Sequence, residues 1–259
     1  MKYKLHKDED ITILDWVTPV DYGPQQTDYI RRRQPGTGQW LLDSPEFQTW
    51  LKTDKQTLFC PRIPGAGKTI LTSTVVKELT TQFSSNPAIG IAYLYCNFQH
   101  QGKQKAQDLL LSLLKQLTQS QPSLPKSVKS LYDGHRDKRT RPSLGETSGT
   151  LQSVAGMYSR VFLIIDALDE YQVSHDSLTQ FLTEIFNLQD KCGANIFATS
   201  RFVPSIIDKF SGGLSLEIRA SDDDVQRYVV DYISKSGLKV MKECGEEIKA
   251  GIKHVTERM

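Results

Sequence analysis

The chain has 259 residues, enough for one sizeable α/β domain with an appendage and too few for two full domains. Apolar residues at 38% suit a globular chain with a core, and the near-balance of 32 basic and 30 acidic residues argues against a dedicated nucleic-acid binder, though not against a local basic patch. No apolar stretch is long enough for a membrane span or a signal peptide, and Cys60, Cys96, Cys192 and Cys244 show no metal-site spacing. The expected address is the reducing cytoplasm, with no nucleic-acid partner and no membrane span.

The first 40 or so residues carry turn formers in VTPVDYGPQQ and QPGTGQ and read as an irregular N-terminal extension. Ser44 then caps a predicted helix at PEFQTWL, with Pro45 in its first turn and Phe47, Trp50 and Leu51 at helical spacing. TLFCP is a short apolar run bounded by turn residues, as a buried strand should be. After the loop RIPGAGK, ILTSTVVKEL reads as a helix and IGIAYLYCNF as a second strand. QDLLLSLLKQL sets Leu109, Leu110, Leu113, Leu114 and Leu117 on one helical stripe.

The segment from Ser120 to Glu146 is looser, and its basic run HRDKRTRP reads as a solvated loop, with a trans-acting or partner-binding arginine as the sharper alternative. A short helix, the strand VFLIID, a helix near LTQFLTEIFNL, the strand ANIFATS and a strand at LSLEIRA follow. The last predicted helix is SDDDVQRYVVDYI, with Ser221 as its cap and three aspartates at the positive end of its dipole. Strands alternating with helices predict an α/β fold, a parallel sheet with helices on both faces, and ligands at the carboxyl ends of its strands.

The chemistry concentrates at three of those ends. Pro64, Gly65, Ala66, Gly67, Lys68 and Thr69 lie between a strand and a helix. Glycines let backbone N–H groups close around a dense anion, and the helix N-terminus adds positive potential. In this phosphate-loop pattern Lys68 reaches the outer phosphates and the Thr69 hydroxyl holds Mg²⁺. Arg62 stands where the full pattern has its first glycine, and it either crowds the turn or adds a phosphate contact.

The strand VFLIID ends in Asp166, a carboxylate suited to Mg²⁺, and Asp169 and Glu170 follow as candidates to orient or deprotonate an attacking water. ANIFATSR carries Thr199, Ser200 and Arg201 to the same crevice, where the planar fork of an arginine can read a γ-phosphate. Trp40, Trp50, Tyr93 and Tyr95 read as core, and His100 has no partner at metal spacing.

IPGAGKT, LIIDALDE and ATSR in this order resemble the NACHT family of signal-transducing NTPases. The stretch ahead of them, ILDWVTPVDYGPQQTDYIRRRQPGTGQWLLDSPEFQTWL, looks like the leader of fungal NLR-like proteins of the STAND class, nephrocystin-like N-terminal type. The resemblance implies a P-loop NTPase fold that binds ATP or GTP with Mg²⁺, hydrolyses it slowly and assembles through self-association or protein partners. Some fungal relatives act in non-self recognition and regulated cell death. Carried over by position, Gly65, Gly67, Lys68 and Thr69 look like Walker A, Asp166, Asp169 and Glu170 like the extended Walker B, and Arg201 like the sensor arginine.

On this reading residues 1–52 are the extension and lead-in helix, 53–220 the NTPase domain, and 221–259 the start of a truncated helical subdomain. The chain stops where a winged helix and recognition repeats are expected. Two other functions remain open from the residues. One is a small-molecule P-loop kinase with HRDKRTRP as its lid. The other is a hydrolysis-deficient scaffold or gene fragment.

Overall fold

A computed structural model describes residues 8–63, 67–97, 105–171, 175–218, 224–227 and 231. Five strands form one sheet: β1 (Thr57–Pro61), β2 (Ile89–Tyr95), β3 (Arg160–Asp166), β4 (Asn195–Ser200) and β5 (Leu214–Ser215). They run in the order β2-β3-β4-β1-β5, every pair parallel. The runs that predict β1, β3 and β4 are unbroken because both faces of these strands are covered; every residue of β1 and β4 is buried.

Successive side chains of β3 serve opposite faces. Leu163 and Ile165 join the core under α6 (Ala106–Gln119), α8 (Leu144–Ala155) and α9 (His175–Cys192). Phe162 and Ile164 join the second core under α4 (Pro45–Lys52) and α5 (Lys68–Gln82). The five stripe leucines of α6 are all buried. Ser44 caps α4 by accepting the Phe47 N–H at 3.2 Å. Trp50 of α4 is locked onto β4 by its indole N–H, which donates to the Ile196 carbonyl at 2.8 Å.

The extension predicted to be irregular is helical. It holds α1 (Asp8–Val17), α2 (Gly23–Arg32) and α3 (Gln39–Asp43). Periodicity misses them because α1 buries only Ile13, Leu14 and Val17, and α2 buries no residue fully. Helix α1 packs on α6, where the ammonium of buried Lys115 meets Asp15 at 3.1 Å and the Thr18 carbonyl at 2.7 Å.

The loose region likewise contains α7 (Lys126–Arg136), which buries just Val128 and Leu131. The basic run is therefore only partly a loop. His135 and Arg136 close α7, and Arg141 reaches back to α1, donating to the Trp16 carbonyl and to the Val17 carbonyl at 2.7 Å. Its guanidinium also lies over the Trp16 ring, 5.2 Å from the centroid.

The strand predicted at LSLEIRA shortens to two residues in β5, although the Leu216 and Ile218 N–H groups still donate to Phe59 and Pro61 of β1. Of the last predicted helix, 224–227 and 231 are helical, and Ser221 lies outside the described residues. Asp224 accepts the Gly38 N–H at 2.7 Å and Arg227 donates to the Gly36 carbonyl at 2.7 Å, so this segment docks on the QPGTG turn. Among the described residues no helix is long and apolar enough to cross a membrane.

Candidate functional site

The carboxyl ends of β1, β3 and β4 converge on the first turn of α5. Pro64, Gly65 and Ala66 lie outside the described residues. Gly67 precedes the helix with φ +79°, a left-handed conformation that favours glycine. Among the described residues no atom lies within 4 Å of where its Cβ would be. Lys68 and Thr69 form the first turn of α5.

Asp166 closes β3 with 1% of its surface exposed. Three hydroxyls donate to its carboxylate. Thr69 reaches Oδ2 at 2.7 Å, while Thr72 and Thr199 both reach Oδ1 at 2.7 Å. Burial pushes the pKa of this acid up, and the three hydroxyls together with the Lys68 charge pull in the opposite direction. Thr199 has a second task, for its oxygen accepts the Ala167 N–H at 2.9 Å. That bond holds Ala167 at φ +55°, a left-handed turn seldom taken by a residue with a Cβ.

The turn at Ala167 leads into a 3₁₀ helix, Leu168–Glu170, which returns Asp169 to the site. The Asp169 side chain is 5% exposed. Its Oδ1 accepts the backbone N–H of Arg201 at 2.8 Å, its Oδ2 meets Arg201 Nε at 2.8 Å, and Lys68 Nζ lies 3.9 Å from Oδ1. One carboxylate thus links the P-loop lysine, the acidic strand and the arginine that follows β4. Glu170 shares the 3₁₀ turn; after burial itself, Asp166, Glu170 and Asp169 in turn push the Cys96 thiol upward.

Of the residues singled out from the sequence, Gly67, Lys68, Thr69, Asp166, Asp169 and Arg201 are assembled here. Thr72 was missed, although a hydroxyl three residues beyond Thr69 on the sheet-facing side of a helix is the signal that finds it. Tyr95, read as core, is in register with Asp166 on the neighbouring strand, and its hydroxyl donates to the side-chain oxygen of Gln26 on α2.

Arg62 does not break the strand. Its N–H donates to the Ser200 carbonyl at 2.9 Å and carries the β1–β4 ladder one residue further. The side chain is buried, at 7% exposure. Burial lowers its pKa to about 10, opposed by the carboxylate of Glu217 beyond β5. Glu217 lies past the far side of β1 from Asp166. His100 lies outside the described residues.

The oxygens of Thr69 and Asp166 are the hard donors that Mg²⁺ takes. No group of three or more His, Cys, Asp or Glu residues forms a metal cage among the described residues. Mg²⁺ suits such a site, because it keeps waters and shares phosphate oxygens instead of filling an all-protein shell.

A family profile described as "Nephrocystin 3, N-terminal" matches residues 36–201, well over half of the chain. No curated protein matches it. Solved structures share its fold at low identity. A Walker-type ATPase of Pyrococcus abyssi is 13% identical with a TM-score of 0.51, covering 98% of this chain and 67% of that one. A replication initiator DnaA bound to AMPPCP and single-stranded DNA is 14% identical, with a TM-score of 0.46 and coverage of 88% and 63%. The ORC1 protein of Aeropyrum pernix in complex with DNA is 16% identical, with a TM-score of 0.43 and coverage of 83% and 50%.

The chain thus spans about half to two thirds of the length of these proteins. The likeness shows an α/β fold of the P-loop NTPase class. It also corrects one expectation. Two of the matched structures hold DNA, so the expectation of no nucleic-acid partner does not stand.

Proposed function

We propose that this chain, which belongs to the nephrocystin 3, N-terminal family, binds a nucleoside triphosphate with Mg²⁺, hydrolyses it slowly and uses the difference between the two states as a signalling switch of the NACHT, NLR-like type. The observation that supports this most is the meeting of Thr69 and Asp166 at 2.7 Å beside Lys68, with the Asp169–Arg201 pair adjoining.

The roles follow from charge and reach. Lys68 and the N-terminus of α5 present positive charge to the phosphates. Thr69 and Asp166 would hold Mg²⁺, which would neutralise phosphate charge. Asp169 and Glu170 orient the attacking water. Arg201 is shared between Asp169 and the terminal phosphate. The helical stretch from Asp224, resting on the QPGTG turn, is the natural start of an element that reads the nucleotide state. A cytoplasmic location and the division at residues 52 and 220 belong to the same reading.

Calorimetry with Mg-ATP and Mg-GTP tests it, with Lys68→Ala as control and with DNA present and absent. Binding that the variant loses by about 10-fold or more supports the reading, and the ratio of the two affinities names the base. No binding by the intact chain would sink it and bring forward the hydrolysis-deficient scaffold. Asp169→Ala and Glu170→Ala should bind normally and hydrolyse slowly.

A further inference from the structure

The site has a wall supplied from outside the phosphate loop. On the sheet face that receives α5, Tyr95 of β2 is in register with Asp166 of β3. Helix α2 covers that end. The Tyr95 hydroxyl donates to Gln26, and Gln26 Nε2 donates to the Ser73 carbonyl at 2.9 Å. Ser73 follows Thr72, whose hydroxyl holds Asp166. Gln26 therefore fixes α2 to β2 and to α5 beside the buried carboxylate.

Almost one turn further along α2, Tyr29 packs edge-on against Tyr95, with ring centroids 4.9 Å apart at 70°. Tyr29 is only partly buried. Its hydroxyl, unlike that of Tyr95, makes no hydrogen bond among the described residues. Burial first, then the charge of Asp166, and more weakly Asp28 and Glu170, raise its pKa, with Arg32 opposing. The phenol therefore stays protonated near neutral pH and keeps an uncommitted O–H within electrostatic reach of Asp166 and Glu170.

We propose that Tyr29 is a specificity-determining residue of the nucleotide site, its O–H donating to an oxygen of the terminal phosphate and so favouring a triphosphate over a diphosphate. This rests on the nucleotide-binding reading above. A hydrogen bond to a charged oxygen, made only when the third phosphate is present, separates the two ligands by about 10-fold or more.

The test is Tyr29→Phe, which removes one oxygen and keeps the ring against Tyr95. Affinities for a non-hydrolysable ATP analogue and for ADP, or the guanosine pair if the chain takes guanine, are measured by calorimetry on the intact chain with Mg²⁺. The expected result is a loss of about 10-fold or more for the triphosphate analogue, with ADP held within about 2-fold. A purely structural role would move both ligands together, and that result overturns the proposal, as does an unchanged pair. A ¹⁹F resonance from 3-fluorotyrosine at position 29 should also shift with the triphosphate analogue and stay in place with ADP; equal shifts count against the proposal. If the intact chain binds neither nucleotide, the nucleotide reading itself fails and takes this one with it. If it binds both and Tyr29→Phe behaves like the parent, only the role of Tyr29 is lost.

Discussion

Thr72 Oγ1 stands 2.7 Å from Asp166 Oδ1, the same oxygen that Thr199 reaches at 2.7 Å. The two hydroxyls come from α5 and β4, and between them they keep a buried carboxyl hydrogen-bonded. Thr72→Val keeps the shape and removes one donor, leaving the carboxylate less satisfied. A loss of about 1–3 kcal/mol in folding stability is expected by urea denaturation. Thr72→Ser should recover most of it. A valine variant as stable as the parent would mean that the bond does not contribute to the folded state.

Asp169 is held by the N–H and the Nε of Arg201, both at 2.8 Å. Arg201→Ala leaves the backbone bond and removes the charged one. Hydrolysis is expected to fall by about 10- to 100-fold while nucleotide affinity changes by less than about 3-fold, because the arginine matters most where charge develops on the terminal phosphate. Lysine should rescue poorly, since it lacks the planar fork. Single-turnover rates and calorimetry separate the two effects. An equal loss in both would reassign Arg201 to ground-state binding.

Arg141 fastens α1 to the rest of the fold through the Trp16 and Val17 carbonyls and the Trp16 ring. Arg141→Ala should cost about 1 kcal/mol and expose the amides of α1 to faster hydrogen exchange. Exchange over residues 8–17 that matches the parent would count against this anchoring role.

Glu146 lies in a capping box at the start of α8, where the Ser143 N–H and hydroxyl donate to its carboxylate at 2.7 Å each. Those bonds, with a smaller contribution from His135, hold its pKa below the ordinary 4.5. The folded pKa is depressed, so the stabilisation is present above the unfolded value and is lost as pH falls through the folded one. Thermal melts should therefore show a gap between the parent and Glu146→Gln at about pH 6 that closes on acidification. A gap independent of pH would rule out the ionised cap.

Much of the sheet was legible in the sequence. TLFCP, VFLIID and ANIFATS stand out because strands buried on both faces are continuous apolar runs between turn residues. The strand-end positions of Asp166 and Arg201 and the helix start at Lys68 were legible too, since each follows an apolar run or a glycine turn along the chain. Helix α2 was hidden for a physical reason. It contacts the fold through Gln26 and Tyr29, with Tyr22 just ahead of its first turn, a polar and aromatic stripe that apolar periodicity does not register. Helix α7 was masked by its high polarity, with two buried residues in eleven. Thr199 was placed at the crevice by its strand end, but its meeting with Thr72 on one carboxylate oxygen depends on how α5 docks on the assembled sheet.

The three bonds to Asp166 join residues 97, 94 and 33 positions apart. No short contiguous stretch of the chain carries this constellation. Contacts of such long sequence separation are closed only after the costly loops between them, which makes parallel sheets slow to form. The constellation is therefore complete only in a chain whose sheet has fully docked, and a nascent or partly unravelled chain presents the phosphate loop without its acidic partner. Competence at this centre doubles as a certificate of finished folding, so a lesion anywhere between Lys68 and Arg201 that delays docking silences the centre without touching it.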